Sequence, residues 1–330
     1  MISGQLPFGS SNVGCISVAD GVTLTVNTGY TFIGTNFKMG ANSKIVVNAP
    51  FRLTLQSNCK LEGCNGMWDG ITLDPTNDFV ASGRQLDISN SRIEDAVTGV
   101  SAQHYSKVRF VSNVFADNVI GLKVTGFVPF INFEDPNDFK HNTFTFAGIN
   151  TSTGIVFDNA LYFFIGQDFS IPPVIVNTVS STYRGIDIRN STGIGIYGIT
   201  FSGMYKSGAS NYSEPYYSGG LCVGIYNSRE IDVKYCSMLG LPLIPAFLQP
   251  NFGIATLLGH GKQVFRNNFI RSNVLGISAT SLPFPGTLLD IQNDSIIARN
   301  CIRSKWISYN TGKNILINKK RWCPKSVDLV

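Results

Sequence analysis

Asp95 and Asp117 stand 22 residues apart in two stretches that read alike, LDISNSRIEDAVTGVSA from Leu86 and VRFVSNVFADNVIGLKV from Val108. If those stretches are successive turns of one coil, the two carboxyls lie about 4.8 Å apart on one face, the spacing of neighbouring strands. Carboxylates that close shift each other's ionisation and can share a proton or a cation, the raw material of acid/base chemistry. A polar bend accounts for the same pair without chemistry. His260, between Gly259 and Gly261, is the third candidate catalytic group, one of only three histidines. A lone histidine does not supply the two carboxyl groups, about 5 to 9.5 Å apart, that glycoside hydrolysis generally uses.

Other residues suit binding. Tyr205, Tyr212, Tyr216 and Tyr217 are close together and could stack on the apolar faces of sugar rings, or could cover part of the core. Glu134, Asp135 and Asp138, and separately Asp74 and Asp78, form small acidic loops of the kind Ca²⁺ prefers, though neither has EF-hand spacing. Ca²⁺ is the one candidate ion, and no other cofactor is expected. Arg299, Arg303, Lys305, Lys313, Lys319, Lys320, Arg321 and Lys325 make a basic end that suits an anionic polysaccharide or a solvated face. No nucleic-acid-binding pattern accompanies the charge, so nucleic acid is not an expected partner.

What must position these groups is a repeat. Shifting the first stretch by 22 puts Ile88 on Phe110, Ile93 on Phe115, Val97 on Val119 and Val100 on Leu122. VFRNNFIRSNVLGIS from Val264 aligns Asn267 with Asn113, Phe269 with Phe115 and Gly276 with Gly121. A variant pairs Asn190 with Asn227, Ser191 with Ser228, Ile194 with Ile231, Ile196 with Val233 and Ile199 with Cys236. Within each copy, apolar residues recur two apart, which is the strand period, and Asn, Gly, Asp or Ser mark the bends. Short strands of this kind bury an apolar face only by stacking turn on turn. The expected fold is all-β, a single-stranded parallel β-helix, right-handed by the general preference of parallel crossovers. Asparagines at equivalent bends are expected to hydrogen-bond to one another along the stack. The pattern divides the chain into a flank 1–20, a coil 21–318 with insertions near 127–142, 202–220 and 239–252, and a basic flank 319–330.

Composition fits such a coil and excludes other classes. Of 330 residues 43% are hydrophobic and 14% charged, with 33 glycines and a net charge of +5, which is neither a disordered chain nor a coiled coil. No apolar run approaches the roughly 20 residues of a membrane span, and the first residues lack the pattern of a signal peptide. Seven cysteines without a CxxC pair make a zinc site improbable. They read as buried core thiols, with a Cys59–Cys64 disulfide as the alternative.

The stretch GVTLTVNTGYTFIGTNFKMGANSKIVVNAPFRLTLQSNCKLEGCNGMWDGITL, followed by LDISNSRIEDAVTGVSA, resembles the large secreted surface proteins of Bacteroidetes that carry right-handed β-helix repeats, within the pectin-lyase-like superfold. The resemblance covers about the first 125 residues and implies export, a cell-surface location and a place in a longer polypeptide, with a monomer as the expectation otherwise. It implies no catalytic residues. Gly259-His260-Gly261 is similar to a motif of polygalacturonases, but the Asn-Thr-Asp, Asp-Asp and Arg-Ile-Lys steps of that family are missing. The expected function is a non-enzymatic extracellular or cell-surface stalk or adhesin, with carbohydrate as its candidate ligand, and the alternative is a polysaccharide lyase or glycoside hydrolase.

Overall fold

A computed structural model describes residues 10–11, 14–75, 84–128, 130–133, 137–140, 152–165, 177–180, 182–204, 220–239, 252–271, 275–281, 288–292, 294–297, 300–306, 314–318 and 328–329. Among them every regular element is a strand and none is a helix. The chain divides into two compact units, Met1–Ile155 and Val156–Val330.

In unit 1 each turn visits three sheets in order. The first sheet stacks Tyr30–Ile33, Leu53–Gln56, Leu86–Ser89, Lys107–Val111 and Phe130–Phe133, all parallel. The second stacks Cys15–Val18, Asn36–Met39, Lys60–Gly63, Arg92–Glu94, Val114–Ala116 and Asp138–Lys140. The third stacks Thr23–Val26, Lys44–Val47, Trp68–Leu73, Ala96–Ala102 and Ile120–Phe127. This is a parallel β-helix. The 22-residue alignment is the observed register, with Ile88 beside Phe110, Ile93 beside Phe115 and Val100 beside Leu122. Alternation works as the pattern requires: Leu53 and Leu55 are buried while Thr54 between them faces outward, half-buried. Like side chains of successive turns then stack inside, as Phe115 does on Phe139 with ring centres 4.6 Å apart and planes 7° from parallel.

Unit 2 repeats the plan. One sheet stacks Arg184–Arg189, Leu221–Tyr226, Phe252–Leu257, Leu275–Ser281 and Asn300–Trp306. The next continues from Thr153–Ile165 through Thr192–Tyr197, Arg229–Lys234, His260–Arg266, Leu288–Gln292 and Asn314–Asn318. The last stacks Asn177–Ser180, Ile199–Ser202, Ser237–Leu239, Phe269–Arg271 and Ser295–Ile297. The pairings Ile194 with Ile231 and Ile196 with Val233 are those of the sequence repeat. Of the loop segments between these strands, residues 205–219 and 240–251 lie outside the described residues.

The bends are built the same way in both units. A residue with left-handed backbone turns the corner, such as Asn90 (φ 47°), Ser112 (φ 53°), Asn190 (φ 49°), Asn227 (φ 45°) and Asn267 (φ 57°). Asn tolerates this conformation at little cost because its short side chain bonds locally. The residue after it points inward, where it must satisfy backbone groups that the bend has left without strand partners. Asn113 does so twice: its Oδ1 accepts the Ser91 N–H at 3.0 Å and its Nδ2 donates to the Ile88 carbonyl at 2.8 Å. Asn137 continues the rung, its Oδ1 accepting the Asn113 N–H at 3.0 Å. In unit 2 Asn268 takes the same part, accepting the Cys236 N–H at 3.0 Å and donating to the Val233 carbonyl at 2.9 Å. The expected asparagine stacking is therefore present, with one correction to the alignment. Asn268, not Asn267, is the counterpart of Asn113, and Ile270 rather than the exposed Phe269 fills the place of Phe115. The doubled Asn267-Asn268 hides that step, because either residue fits the motif when only types are compared.

The same inward position explains two cysteines. Cys59 Sγ donates to the Phe32 carbonyl at 3.3 Å, and Cys236 Sγ lies 3.8 Å from the Ile196 carbonyl, each a weak rung of the stack. Cys59, Cys222 and Cys236 are buried and free, as the core reading expects, whereas Cys15 and Cys64 are free and exposed. Burial pushes the Cys236 thiol up to about 12, so it stays protonated.

Asp294 occupies the rung beyond Asn268. Its Oδ1 accepts the Asn268 N–H at 2.7 Å, while its buried Oδ2 has no hydrogen-bond partner. Where Asn268 presents an NH₂ to a carbonyl, Asp294 presents an oxygen that can serve as donor only when protonated. Burial pushes its carboxyl from 3.8 up to about 7, although the bonds from Asn268 pull it down, and Asp290 adds repulsion. The unfolded chain releases this proton near its ordinary value and the folded chain near 7. The contribution of the protonated rung is therefore complete below the ordinary value and is lost as the pH rises to about 7, a swing of about 4 kcal/mol.

Two outcomes follow. Asp294→Asn, which keeps a donor at every pH, flattens the fall in Tm between pH 4 and 7 and exceeds the wild type at pH 8 in thermal melts. Asn113→Leu leaves the Ser91 N–H and the Ile88 carbonyl buried without partners and lowers stability by about 2–4 kcal/mol in denaturant titrations.

Candidate functional site

Outside unit 1, where the first sheet bends into the second, lies a cleft of about 390 Å³. Its walls come from equivalent positions of successive turns. Asn58, Asn90 and Ser112 are the left-handed bend residues, and Asn36, Lys60, Arg92 and Val114 are the first residues of the four strands that follow, in one register. Cys59 and Ser91 line it as well, and they are the inward rung residues. Main-chain bonds between turns hold the bends in file, with the Asn58 N–H donating to the Asn90 carbonyl at 2.7 Å. Among the described residues the lining thus offers amides, hydroxyls and two cations but no carboxylate.

Two residues along each strand stands a second row, Lys38, Glu62 and Glu94. Lys60 bridges both acids, in short contact with Glu62 and 3.1 Å from Glu94 Oε2, while Arg92 pairs with Glu94 and Lys38 with Glu62. Burial alone would lower the Lys60 ammonium, but bonds to Glu62 and Glu94 outweigh it and raise the group above its ordinary value. Burial likewise would raise Glu62, yet the hydrogen bonds from Lys38 and Lys60 prevail and hold it low. Glu62 is therefore a carboxylate without a proton to give at neutral pH. Equivalent carboxyls one turn apart would otherwise suit acid/base work, and this pair is instead committed to holding two cations at the edge of the cleft.

The predicted site residues fall elsewhere. Asp95 and Asp117 are in equivalent places of adjacent turns, as the repeat expects, and both are left-handed bend residues (φ 56° and 57°) between the second and third sheets. The Asp117 N–H donates to the Lys140 carbonyl at 2.9 Å and the Asp95 N–H to the Ala116 carbonyl at 3.3 Å, which are structural duties. His260 lies in unit 2, at the start of its strand beside Arg229. Its flanking Gly261 has φ 64°, and a Cβ there would come within 2.7 Å of Glu230 Oε1, so the Gly-His-Gly step serves an irregular strand entry packed against a glutamate. Glu230 Oε1 accepts the Lys262 N–H at 3.2 Å, which puts one carboxylate beside this step.

Asp138 follows Val114 on the second sheet and pairs with Lys140 at 3.0 Å. Glu134, Asp135, Tyr205, Tyr212, Tyr216 and Tyr217 lie outside the described residues. So do Asp78 and the basic residues near the end other than Arg303 and Lys305, which fall on the strand Asn300–Trp306. Among the described residues no group of three or more His, Cys, Asp or Glu is placed to hold a metal ion. No helix among them is long and apolar enough to cross a membrane.

No protein-family model matches the chain, and no curated protein matches it. Among solved structures, the chain is similar to the catalytic domain of a GH87 alpha-1,3-glucanase in complex with tetrasaccharides, at 11% identity and a TM-score of 0.34, over 96% of this chain. It spans 64% of the length of that glucanase chain. It is also similar to the Streptococcus pneumoniae surface protein and adhesin PfbA, at 11% identity and a TM-score of 0.24, over 96% of this chain and 90% of that one.

Sequence reading overlooked the cleft because Lys60, Glu62, Arg92 and Glu94 look like ordinary surface charges. A usable signal was there: Lys60-Leu-Glu62 and Arg92-Ile-Glu94 repeat cation, core residue, acid at the same place in adjacent turns. Lys60→Met removes one of the two cations on Glu62, so its carboxyl titrates at a higher pH by carboxylate NMR. An unchanged titration would show that Lys38 alone holds it down.

Proposed function

We propose that the chain is a non-catalytic β-helix module, extracellular or on the cell surface, that binds an acidic carbohydrate chain along the cleft of unit 1. The observation that carries this is the lining of the cleft: side-chain amides and hydroxyls repeated turn by turn, with Lys60 and Arg92 among them and no carboxylate among the described residues that line it. A glycan chain lying along the stack offers hydroxyls at a repeat near the strand spacing of about 4.8 Å, so successive rungs can engage successive sugars. Uronate or sulfate groups then meet the donors of Lys60 and Arg92 that Glu62 and Glu94 do not take up; Arg92 binds Glu94 through Nε, which leaves its two terminal nitrogens as a fork for charge-assisted hydrogen bonds. Adhesion rather than turnover is supported by the ionic commitment of Glu62 and Glu94 to those same cations. The location outside the cell is supported by the resemblance of the first 125 residues to secreted surface proteins.

Glycan-array and titration measurements on the full chain test this. Hexagalacturonate is expected to bind and to weaken as salt rises. Lys60→Ala and Arg92→Ala are each expected to cost about tenfold in affinity, within the range for a lost bond to a charged group. Absence of binding to every acidic glycan overturns the reading. Release of reducing or unsaturated sugar ends replaces it with a hydrolase or lyase.

A further inference from the structure

Unit 2 carries an aromatic surface that the cleft does not explain. On the strand Thr153–Ile165, Leu161, Tyr162 and Phe164 are 38%, 58% and 50% exposed. The strand next to it, Thr192–Tyr197, has glycine at the two places where side chains would stand against those rings. Phe164 is the register partner of Gly195, and a Cβ on Gly195 would lie 2.4 Å from the Phe164 ring. A Cβ on Gly193 would lie 2.6 Å from the Tyr162 ring. Both rings therefore lie close over backbone at Gly193 and Gly195, an approach that only glycine permits. Phe164 is stacked on Tyr197, with ring centres 6.2 Å apart and planes 13° from parallel.

The borders of this shelf are polar. Tyr197 Oη donates to Asp232 Oδ2 at 3.3 Å, and Lys234 pairs with Asp232 at 2.8 Å while lying 5.3 Å from the Tyr197 ring centre. Arg229 Nε donates to Thr192 Oγ1 at 3.2 Å, and Asn159 Nδ2 to Asp158 Oδ1 at 3.0 Å. Among the described residues, two half-exposed rings and a leucine offer on the order of 300 Å² of apolar surface. A stable protein partner takes about 800 Å² from each side, so the shelf is too small for one and about right for a sugar or two.

We infer that this shelf is a second carbohydrate site, which takes the apolar face of a neutral pyranose on Phe164 and Tyr162 while the bordering amide, hydroxyl and carboxylate groups meet the ring hydroxyls. It rests on unit 2 alone and holds whether or not the cleft of unit 1 binds acidic glycan. The chemistry differs accordingly: stacking is indifferent to salt, and the ligand needs no charge.

Saturation-transfer NMR with cellohexaose and maltohexaose on the full chain tests it. Transfer is expected to at least one of the two, strongest to the axial C–H protons of one ring face, and unchanged between low and high salt. Phe164→Ser and Tyr162→Ser are each expected to weaken binding at least fivefold with thermal melts unchanged. The double variant Lys60→Ala/Arg92→Ala retains full transfer, which separates this site from the cleft. No transfer to either hexasaccharide overturns the inference. So does sedimentation showing that the wild type self-associates and Phe164→Ser does not, since the shelf would then be a contact between copies of the chain.

Discussion

A chain that bends three times in every turn must account for the backbone groups at each bend, and in this protein the neighbouring turn accounts for them. Strand N–H and carbonyl groups pair by register, but a bend breaks the register and leaves donors facing the interior. Unpartnered, each would cost about 1–3 kcal/mol. Asn113, Asn118, Ser191, Ser228 and Asn268 meet this need by reaching from one turn to the next with a side-chain oxygen. The core of aliphatic and phenyl side chains supplies the driving force, yet it is these polar rungs that fix which residue lies beside which. Everything on the outside inherits that alignment.

The cleft of unit 1 is one such inheritance. Because Asn36, Lys60 and Arg92 occupy one place in three successive turns, their side chains form a file without any tertiary loop to arrange them. The acids two residues along form a parallel file for the same reason. A coil of this kind converts a short sequence phrase into a line of identical chemistry, so a surface property is set by the repeat and not by a single residue. The aromatic shelf of unit 2 uses the alignment differently, with glycine in one turn making room for a ring from the turn before.

The fold was legible because its two signals, apolar residues two apart and Asn or Gly at the bends, arise from interactions between adjacent turns that recur along the chain. Ile88 beside Phe110 and Ile194 beside Ile231 could be read by shifting the sequence against itself. The slip at Asn267-Asn268 shows the limit of that method, since residue type alone does not say which of two asparagines points inward. The sites were far less legible. Asp95 and Asp117 stand at equivalent bends of adjacent turns, and a bend with left-handed backbone suits Asp by conformation alone, so residue type there does not mark a site. Tyr162 and Phe164 carry no motif at all, and their exposure depends on Gly193 and Gly195 some thirty residues away. Such a relation becomes visible only once the turns are aligned.

The bends also bear on how long such a chain lasts. An asparagine deamidates when the backbone nitrogen of the following residue attacks its own side-chain carbonyl, and exposed loops with free N–H groups permit that ring closure. Here the nitrogens that follow three of the bend asparagines are already occupied: that of Ser91 after Asn90 by Asn113, that of Ser191 after Asn190 by Ser228, and that of Asn268 after Asn267 by Asp294. The hydrogen bonds that hold one turn to the next thus also restrain the nucleophile of a slow chemical clock. At Asn90, Asn190 and Asn267, residues of a type that ordinarily ages first, the contact that stacks the turns is also the one that restrains ageing.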